Sequence, residues 1–232
     1  MKRFYEYARP EKRDDGYVIL LDAHELKTPA KRPLHLPNEA VARLIADEWQ
    51  SQDEKIEPRL MPHMRLSATA IDRVADHFDD TVGEFKNYVS SDLLCYRGSG
   101  QAALAEKQLA IWDPILDWAS KRYDVSFAVT DTLMPIQQPD ETVSRLAQVA
   151  SEDVFFLTSA LHATAIMGSA VLSLALYEEH IDVERAFELS CLDNLFQLET
   201  WGEDAEERQK LDNIFLELSA VNRYFRALKT ES

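Results

Sequence analysis

The sequence predicts an α+β protein: a small β-rich N-terminal domain with one helix, residues 1–66, followed by a larger mainly α-helical domain, residues 67–232. Two patterns predict this class. Prolines and short apolar runs dominate the N-terminus, and apolar residues at three- and four-residue spacing dominate the rest. The 232 residues, 46% of them hydrophobic, are enough to bury a substantial core.

Short strands joined by turns are predicted between Phe4 and Pro37. The apolar run YVILLD (residues 17–22) follows an Asp-Asp-Gly turn, and prolines interrupt the chain repeatedly after it. Pro33 and Pro37 bracket the tripeptide LHL. Because proline cannot donate a hydrogen bond to a neighbouring strand, we expect LHL to be an edge strand.

The first helix is predicted to begin after Asn38, because asparagine is a good N-cap and Val41, Ile45 and Trp49 follow at helical spacing. The same spacing predicts a long amphipathic helix over residues 71–89, with aspartates on its outer face.

Further helices and one more strand complete the predicted elements. A helix over residues 101–123 should bend or restart at Pro114, because proline lacks the amide hydrogen and its ring is bulky. VSFAVT (residues 125–130) is predicted as a brief strand. Other helices are predicted over residues 140–150, 152–178, 183–192 and 205–228.

Charge is spread unevenly along the chain. Residues 1–36 hold eight basic and six acidic side chains, a net charge of +2, so the remainder carries −18 of the total of −16. This negative field disfavours nucleic acid and anionic membranes as partners and favours encounter with basic protein surfaces. The N-terminal MKRFYEYARP lacks an apolar core, and no long uninterrupted apolar run follows, so neither a secretory signal nor membrane insertion is expected.

The two cysteines, Cys95 and Cys191, lie in apolar surroundings and not at metal-ligand spacing. We expect two reduced, partly buried thiols and no disulfide.

The search for catalytic chemistry is mostly negative. The phosphate loops GxxxxGK[ST] and GxGxxG are absent, as are HExxH, CxxC and GxSxG, so no catalytic, cofactor or metal site is predicted. The best enzymatic candidate is a carboxylate cluster that could hold a divalent cation on one helix face. A solvated helix face is the favoured interpretation, and a metal-dependent hydrolase remains a rival hypothesis. The cluster consists of Asp72, Asp76, Asp79 and Asp80.

The four tryptophans each stand next to charged residues, which places their rings at the boundary between core and surface. Two interpretations remain open: the rings anchor domain packing, or they form protein-binding hot spots, where rigid aromatic groups are enriched. The four are Trp49, Trp112, Trp118 and Trp201.

Five motifs in order resemble one family, the assembly chaperones that hold the α subunit of the catalytic head of F-type ATP synthase in mitochondria and α-proteobacteria. Each motif is weak alone, but the order and spacing are compatible with the family over nearly the whole chain. The motifs are LKTPAKRPL (residues 26–34), ADEW (46–49), SDLLCYR (91–97), WDPILDW (112–118) and WGED (201–204).

The resemblance implies a non-catalytic holdase without a cofactor. Its partner would be the ATP synthase α subunit, whose β-facing surface it masks until the β subunit replaces it. A monomer is expected, in the bacterial cytoplasm, or in the mitochondrial matrix if the protein is a processed eukaryotic one. The open alternative of another class is an adaptor or regulator with a different client.

The resemblance also implies partner-binding residues. Trp49 and Trp112 would stabilise a groove between the domains, and Asp92 and Arg97 would orient the SDLLCYR loop. Trp201 with its neighbours would border the client surface. The complete set is Trp49, Asp92, Arg97, Trp112, Asp113, Trp201, Gly202, Glu203 and Asp204.

Two further features concern the polarity of the motifs. The run CLDNLF (residues 191–196) is less polar than the charged run that the resemblance implies, so no role is carried over to that segment. The basic strip of Lys27, Lys31 and Arg32 contrasts with the acidic remainder, so we hypothesise that it contacts acidic or carbonyl-rich client surface.

Overall fold

A computed structural model describes residues 1–98, 102–132, 134–202 and 204–230. Within them a three-stranded antiparallel sheet precedes ten α-helices, which confirms the predicted α+β class. The strands are β1 (Ala8–Arg13), β2 (Gly16–Leu21) and β3 (His24–Glu25). The helices are α1 (Glu39–Gln50), α2 (Pro62–Asp72), α3 (Phe78–Ser90), α4 (Ala102–Tyr123), α5 (Asp140–Ala150), α6 (Val154–Met167), α7 (Ala170–Tyr177), α8 (Val183–Ser190), α9 (Leu192–Trp201) and α10 (Ala205–Leu228).

The sheet has the order β1-β2-β3, so the apolar strand β2 lies in the centre. Gly16 opens β2 with φ +132°, and a Cβ atom there would lie 2.5 Å from the carbonyl oxygen of Leu36, so only glycine fits. The outer strand β1 contains Pro10 and several charged residues, which block the pairing of another strand at this edge. The predicted LHL edge strand is reduced to one bridge, between Tyr17 and Leu36.

Helix α1 packs against β1 and β2 and begins where its cap was predicted. The side-chain oxygen of Asn38 accepts a hydrogen bond from the amide of Val41 at 2.9 Å. Its amide group donates to the carbonyl oxygen of Ala227 at 2.8 Å. One asparagine thus caps α1 and also binds the C-terminal end of α10.

The chain divides into two compact units. Unit 1 comprises Met1–Phe78, Asp153–Ser159 and Ala220–Ser232, and unit 2 comprises Asp79–Glu152 and Ala160–Ser219. Each unit is assembled from separate stretches of the chain. The predicted boundary after residue 66 stays a prediction.

The prediction of one long helix over residues 71–89 is wrong. Helix α2 ends at Asp72, and a separate helix, α3, begins at Phe78. The carboxylate of Asp72 accepts hydrogen bonds from Thr28 Oγ1 at 2.6 Å and from the amide of Ala30 at 3.1 Å. Arg32 donates to the carbonyl oxygen of Ile71 at 2.9 Å. These contacts from the loop after β3 hold the end of α2 and override the local helical pattern.

The helix predicted over residues 152–178 is two helices, because Gly168 adopts φ +68° and Ser169 caps α7 by accepting from Leu172 at 3.0 Å. The helix predicted over residues 183–192 ends at Ser190, and the unpredicted α9 follows.

The remaining predictions of helices and strands are partly confirmed and partly wrong. Helix α4 runs without interruption through Pro114, so the predicted restart is wrong, and the predicted first residue, Gln101, lies outside the described residues. The predicted strand VSFAVT contributes only a bridge between Tyr96 and Thr130. Helices α5 and α10 have the predicted bounds. Within the described ranges, no helix has both the length and the apolarity that crossing a bilayer requires.

Candidate partner-binding surface

Trp49 belongs to the core of unit 1, since only 8% of its surface is exposed. Its ring lies 5.6 Å from the ring of Tyr5, whose hydroxyl donates to the carbonyl oxygen of Trp49 at 2.6 Å. Among the described residues the indole Nε1 has no hydrogen-bond partner. Trp49 therefore anchors the N-terminal segment to α1, and its proposed contact with a partner stays a prediction.

The residue before Trp49 was missed by the sequence reasoning. Glu48 is buried, and its two carboxylate oxygens accept from the amides of His63 and Met64, both at 2.8 Å. Glu48 Oε1 also lies 2.6 Å from His63 Nδ1, and His63 Nε2 donates to the carbonyl oxygen of Ala220 at 3.1 Å. Glu48 thus supplies the cap that Met61 cannot give to α2. An acidic residue amid apolar helical positions was the available signal.

Asp92 is fully buried in unit 2, where it binds two backbone segments. Its carboxylate accepts from the amides of Leu94 and Val171, each at 3.0 Å. Val171 lies in the first turn of α7, where the helix dipole favours negative charge. Burial nevertheless raises the pKa of Asp92 from its ordinary value of 3.8 to about 6. Asp92 therefore fixes the SDLLCYR segment against α7.

Arg97, at the other end of this segment, meets the WDPILDW motif. Its guanidinium group, also largely buried, pairs with the carboxylate of Asp113 and lies 5.2 Å from the ring of Trp112. The indole Nε1 of Trp112 donates to the carbonyl oxygen of Leu189 at 3.0 Å, and only 1% of this residue is exposed. Two motifs that are separate in sequence therefore meet in one polar cluster of unit 2, which is buried except for the half-exposed side chain of Asp113.

Trp201 contrasts with the other predicted aromatic residues because 78% of its surface is exposed. It ends α9, and Gly202 follows with φ +96°, a conformation that favours glycine. Asp204 then caps α10, since its carboxylate accepts from the amide of Glu206 at 2.8 Å. Glu203, also predicted here, lies outside the described residues. The structure thus places an unburied indole at the junction of two helices.

Helix α9 carries further apolar side chains on the way to Trp201. Leu195, Leu198 and Trp201 recur every three residues and none of them is buried; we call these three residues the α9 face. The α9 helix is attached to α4 by Lys107, whose Nζ lies 2.7 Å from the carboxylate of Glu199. The low polarity noticed in CLDNLF therefore continues along α9 as two half-buried leucines that end at the exposed Trp201.

The basic strip and the aspartate cluster turn out to be linked in unit 1. Arg32 pairs with Asp76 through its guanidinium group but keeps 40% of its side chain exposed, and Lys27 and Lys31 of the strip are exposed as well. Asp72 is occupied by Thr28 and Ala30, as described above. In the described parts of the chain, no three or more His, Cys, Asp or Glu residues are grouped so as to hold a metal ion. These contacts give the first two aspartates a structural role.

Comparison with known protein families decides the identity of the chain. The family model described as "ATP12 chaperone protein" matches residues 2–120. The chain belongs to the ATP12 chaperone family. The resemblance to ATP synthase assembly chaperones, stated from the five motifs, is therefore confirmed.

Solved structures and a curated relative agree with the ATP12 assignment. The crystal structure of Atp12 from Paracoccus denitrificans has a TM-score of 0.92 and 34% identity, covering 98% of each chain. A putative chaperone from Agrobacterium tumefaciens has a TM-score of 0.93 and 35% identity, over 98% of this chain and 86% of that one. The mitochondrial atp12 of Schizosaccharomyces pombe is 22% identical over 230 residues, 91% of this chain and 77% of that protein.

Proposed function

We propose that this ATP12-family protein binds the unassembled α subunit of the ATP synthase catalytic head and prevents its aggregation until the β subunit replaces it. Membership of a chaperone family for ATP synthase assembly supports the proposal. The single observation that carries it is the exposure of Trp201, 78% of whose surface meets solvent at the end of the α9 face. An indole left in water is typical of a hot spot that awaits a partner.

The physical argument is one of mass action. An isolated subunit exposes the apolar interface that its neighbour will later cover, and such surfaces self-associate. A chaperone that covers the interface lowers the concentration of the aggregating form in proportion to its own free concentration and affinity. For the β subunit to replace the chaperone, the chaperone must bind the α subunit less tightly than the β subunit does.

The buried candidates fit a supporting role in this proposal. Asp92, Arg97, Trp112 and Asp113 hold the framework of unit 2, while Trp49 holds the N-terminal segment of unit 1. The side chains of Trp49, Asp92, Arg97 and Trp112 are buried and have little surface to offer directly to a client, whereas the side chain of Asp113 is 48% exposed. Trp201, Gly202 and Asp204 are exposed and are the residues we assign to contact.

The compartment follows from the client. We place the protein in the bacterial cytoplasm or the mitochondrial matrix, where an α subunit would await assembly. The relatives described above come from bacteria and from a mitochondrion.

The test is an aggregation assay on purified ATP synthase α subunit, followed by light scattering with increasing chaperone. We expect the wild-type protein to suppress scattering and Trp201→Ala to require about tenfold more protein, as removal of a hot-spot tryptophan does. Tyr7→Ala is the matched control, because this aromatic side chain of unit 1 is 62% exposed. Equal suppression by wild type and a folded Trp201→Ala protein would contradict the assigned surface, and absence of suppression by wild type would contradict the function.

A further inference from the structure

We propose that the loop of residues 124–139 in unit 2 is a second docking element, which presents Val129 and Met134 to an apolar polypeptide segment flanked by basic residues. The inference rests on the proposed function, since it names a further contact of the same client. The loop joins α4 to α5 and spans sixteen residues in which the described positions form neither helix nor strand. Loops of this length are uncommon in compact domains, and an ordered one is often a binding loop.

A buried glutamine closes the loop across its base. Gln138 is only 2% exposed, and its side chain binds the backbone of Ala128 twice. The amide of Ala128 donates to Gln138 Oε1 at 3.0 Å, and Gln138 Nε2 donates to the carbonyl oxygen of Ala128 at 2.8 Å. Thr142 adds a third bond, from Oγ1 to the carbonyl oxygen of Ser126 at 2.7 Å. The two arms of the loop are therefore held together.

The SDLLCYR segment holds the middle of the loop. The amide of Arg97 donates to the carbonyl oxygen of Thr130 at 2.8 Å, and the amide of Thr130 donates to the carbonyl oxygen of Cys95 at 2.9 Å. Arg97 is itself fixed by Asp113, and the segment by Asp92. The polar cluster of unit 2 thus extends to the loop and sets its position.

These clamps support apolar side chains that contribute little to the packing of unit 2. Met134 is 71% exposed and Val129 is 47% exposed. Thr132 lies between them and supports the turn, since its amide donates to Thr130 Oγ1 at 3.1 Å. Methionine is a side chain that adapts to irregular apolar partners. Where the described backbone is held by these bonds, as at Ala128 and Thr130, it loses little conformational freedom when a partner binds.

Charge specifies the kind of partner. The loop contains Asp124 and Asp131 and no lysine or arginine. Arg145 of α5 pairs with Asp124 at 3.1 Å, whereas Asp131 is exposed and forms no ion pair within the described residues. Asp131 is three residues from Met134 in the sequence. Its exposed carboxylate favours a partner with a basic residue next to its apolar group. A second copy of this chain fits poorly, because each copy carries a net charge of −16.

Methyl NMR gives a direct test, because the chain has only five methionines. Met61, Met64 and Met167 are buried, while Met1 is 74% exposed and reports non-specific adsorption. The probes for methyl-labelled protein are a short leucine–lysine peptide, its leucine–glutamate counterpart and the isolated α subunit. We expect the Met134 signal to shift saturably with the first and third probes only. Asp131→Lys should weaken the first interaction about fivefold, and the control Asp53→Lys, an exposed aspartate of unit 1, should not.

The outcomes separate the two proposals. Binding of the α subunit without a response of Met134 overturns the loop inference and leaves the proposed function standing. A response to the leucine–lysine peptide without binding of the α subunit supports the loop and overturns the function. An equal response to the leucine–glutamate peptide, an unchanged affinity of Asp131→Lys, or a shift with protein concentration alone overturns the loop inference, the last by pointing to a second copy.

Discussion

At the scale of single residues, Asp92 shows how a buried charge can be both necessary and unfavourable. The carboxylate satisfies the amides of Leu94 and Val171, which would otherwise be buried without acceptors. Burial disfavours its charged form, and this effect outweighs the hydrogen bonds that favour it. The connection between SDLLCYR and α7 is therefore sensitive to pH.

The pH dependence of stability should reveal this residue. The pKa of Asp92 is raised to about 6 in the folded protein from 3.8, so the folded state binds more protons than the unfolded state between these values. The stabilisation from Asp92 is thus fully present below pH 4 and is lost as the pH rises through 6. We expect the free energy of unfolding of the wild type, relative to Asp92→Asn, to fall by about 3 kcal/mol over this range.

Urea denaturation of both proteins at several pH values between 4 and 7.5 measures this difference. Asparagine does not titrate, so the variant removes the pH term and adds only a constant loss from its altered hydrogen bonds. Parallel pH profiles for the two proteins would contradict the assignment.

At the scale of secondary-structure elements, side chains from elsewhere in the chain decide where helices begin and end. Helix α2 has proline at its first position and no capping side chain of its own. Glu48, on α1, supplies that cap through the amides of His63 and Met64. The carboxylate also lies 2.6 Å from His63 Nδ1, and this cap is buried, so its loss would leave buried amides without an acceptor, at a greater cost than the loss of a cap exposed to water.

Replacement of this cap should destabilise the protein strongly. We expect Glu48→Gln to lower the free energy of unfolding by about 2 kcal/mol, because the NH2 group of glutamine cannot accept a hydrogen bond and leaves the buried amide of His63 or Met64 without an acceptor. Chemical denaturation measures the change. Glu39→Gln on the same helix is the control: Glu39 forms an exposed pair with Arg43, whose loss should cost only about 0.5 kcal/mol. Similar losses for the two variants would rule out the capping role.

The ends of the helices could be predicted from the sequence only where a local signal sets them. Asn38 caps α1 by a local bond, and a local pattern sufficed to predict that helix. The end of α2 depends on Arg32 and Thr28, which are distant in sequence, so no local pattern could reveal it. Gly168 and Ser169 were a local signal, a glycine and an N-cap within an apolar run, and could have revealed the break before α7.

The exposure of the candidate partner-binding residues could not be predicted from the sequence. All four tryptophans stand beside charged residues, yet Trp112 is 1% exposed and Trp201 is 78% exposed. Neighbouring charges do not distinguish these cases, because the burial of Trp112 depends on Leu189 and Arg97. The aspartate cluster likewise depends on partners that the sequence does not place next to it.

At the scale of the whole molecule, the net charge of −16 should control the rate at which a client is found. The basic strip opposes it locally, through the exposed Lys27 and Lys31. If the client offers a basic surface, the association rate constant should fall about tenfold between 50 and 500 mM salt, because salt screens charges over a shorter distance.

Stopped-flow measurement of tryptophan fluorescence with the purified α subunit would record this rate. The double variant Lys27→Glu/Lys31→Glu tests the strip separately. It should weaken client capture if the strip touches acidic client surface, and unchanged capture would remove that hypothesis. A rate independent of salt would contradict electrostatic steering.

Unit 1 is built from both ends of the chain, and this determines when it can fold during translation. Three side chains within residues 1–78 form hydrogen bonds with residues near the other end of the chain. Asn38 binds Ala227, His63 binds Ala220 and Ser67 binds Tyr224. A ribosome therefore releases the N-terminal stretch long before the groups that complete its interior exist. The chaperone itself must pass through a stage in which its own apolar surface waits uncovered, and it completes its fold only after translation reaches α10.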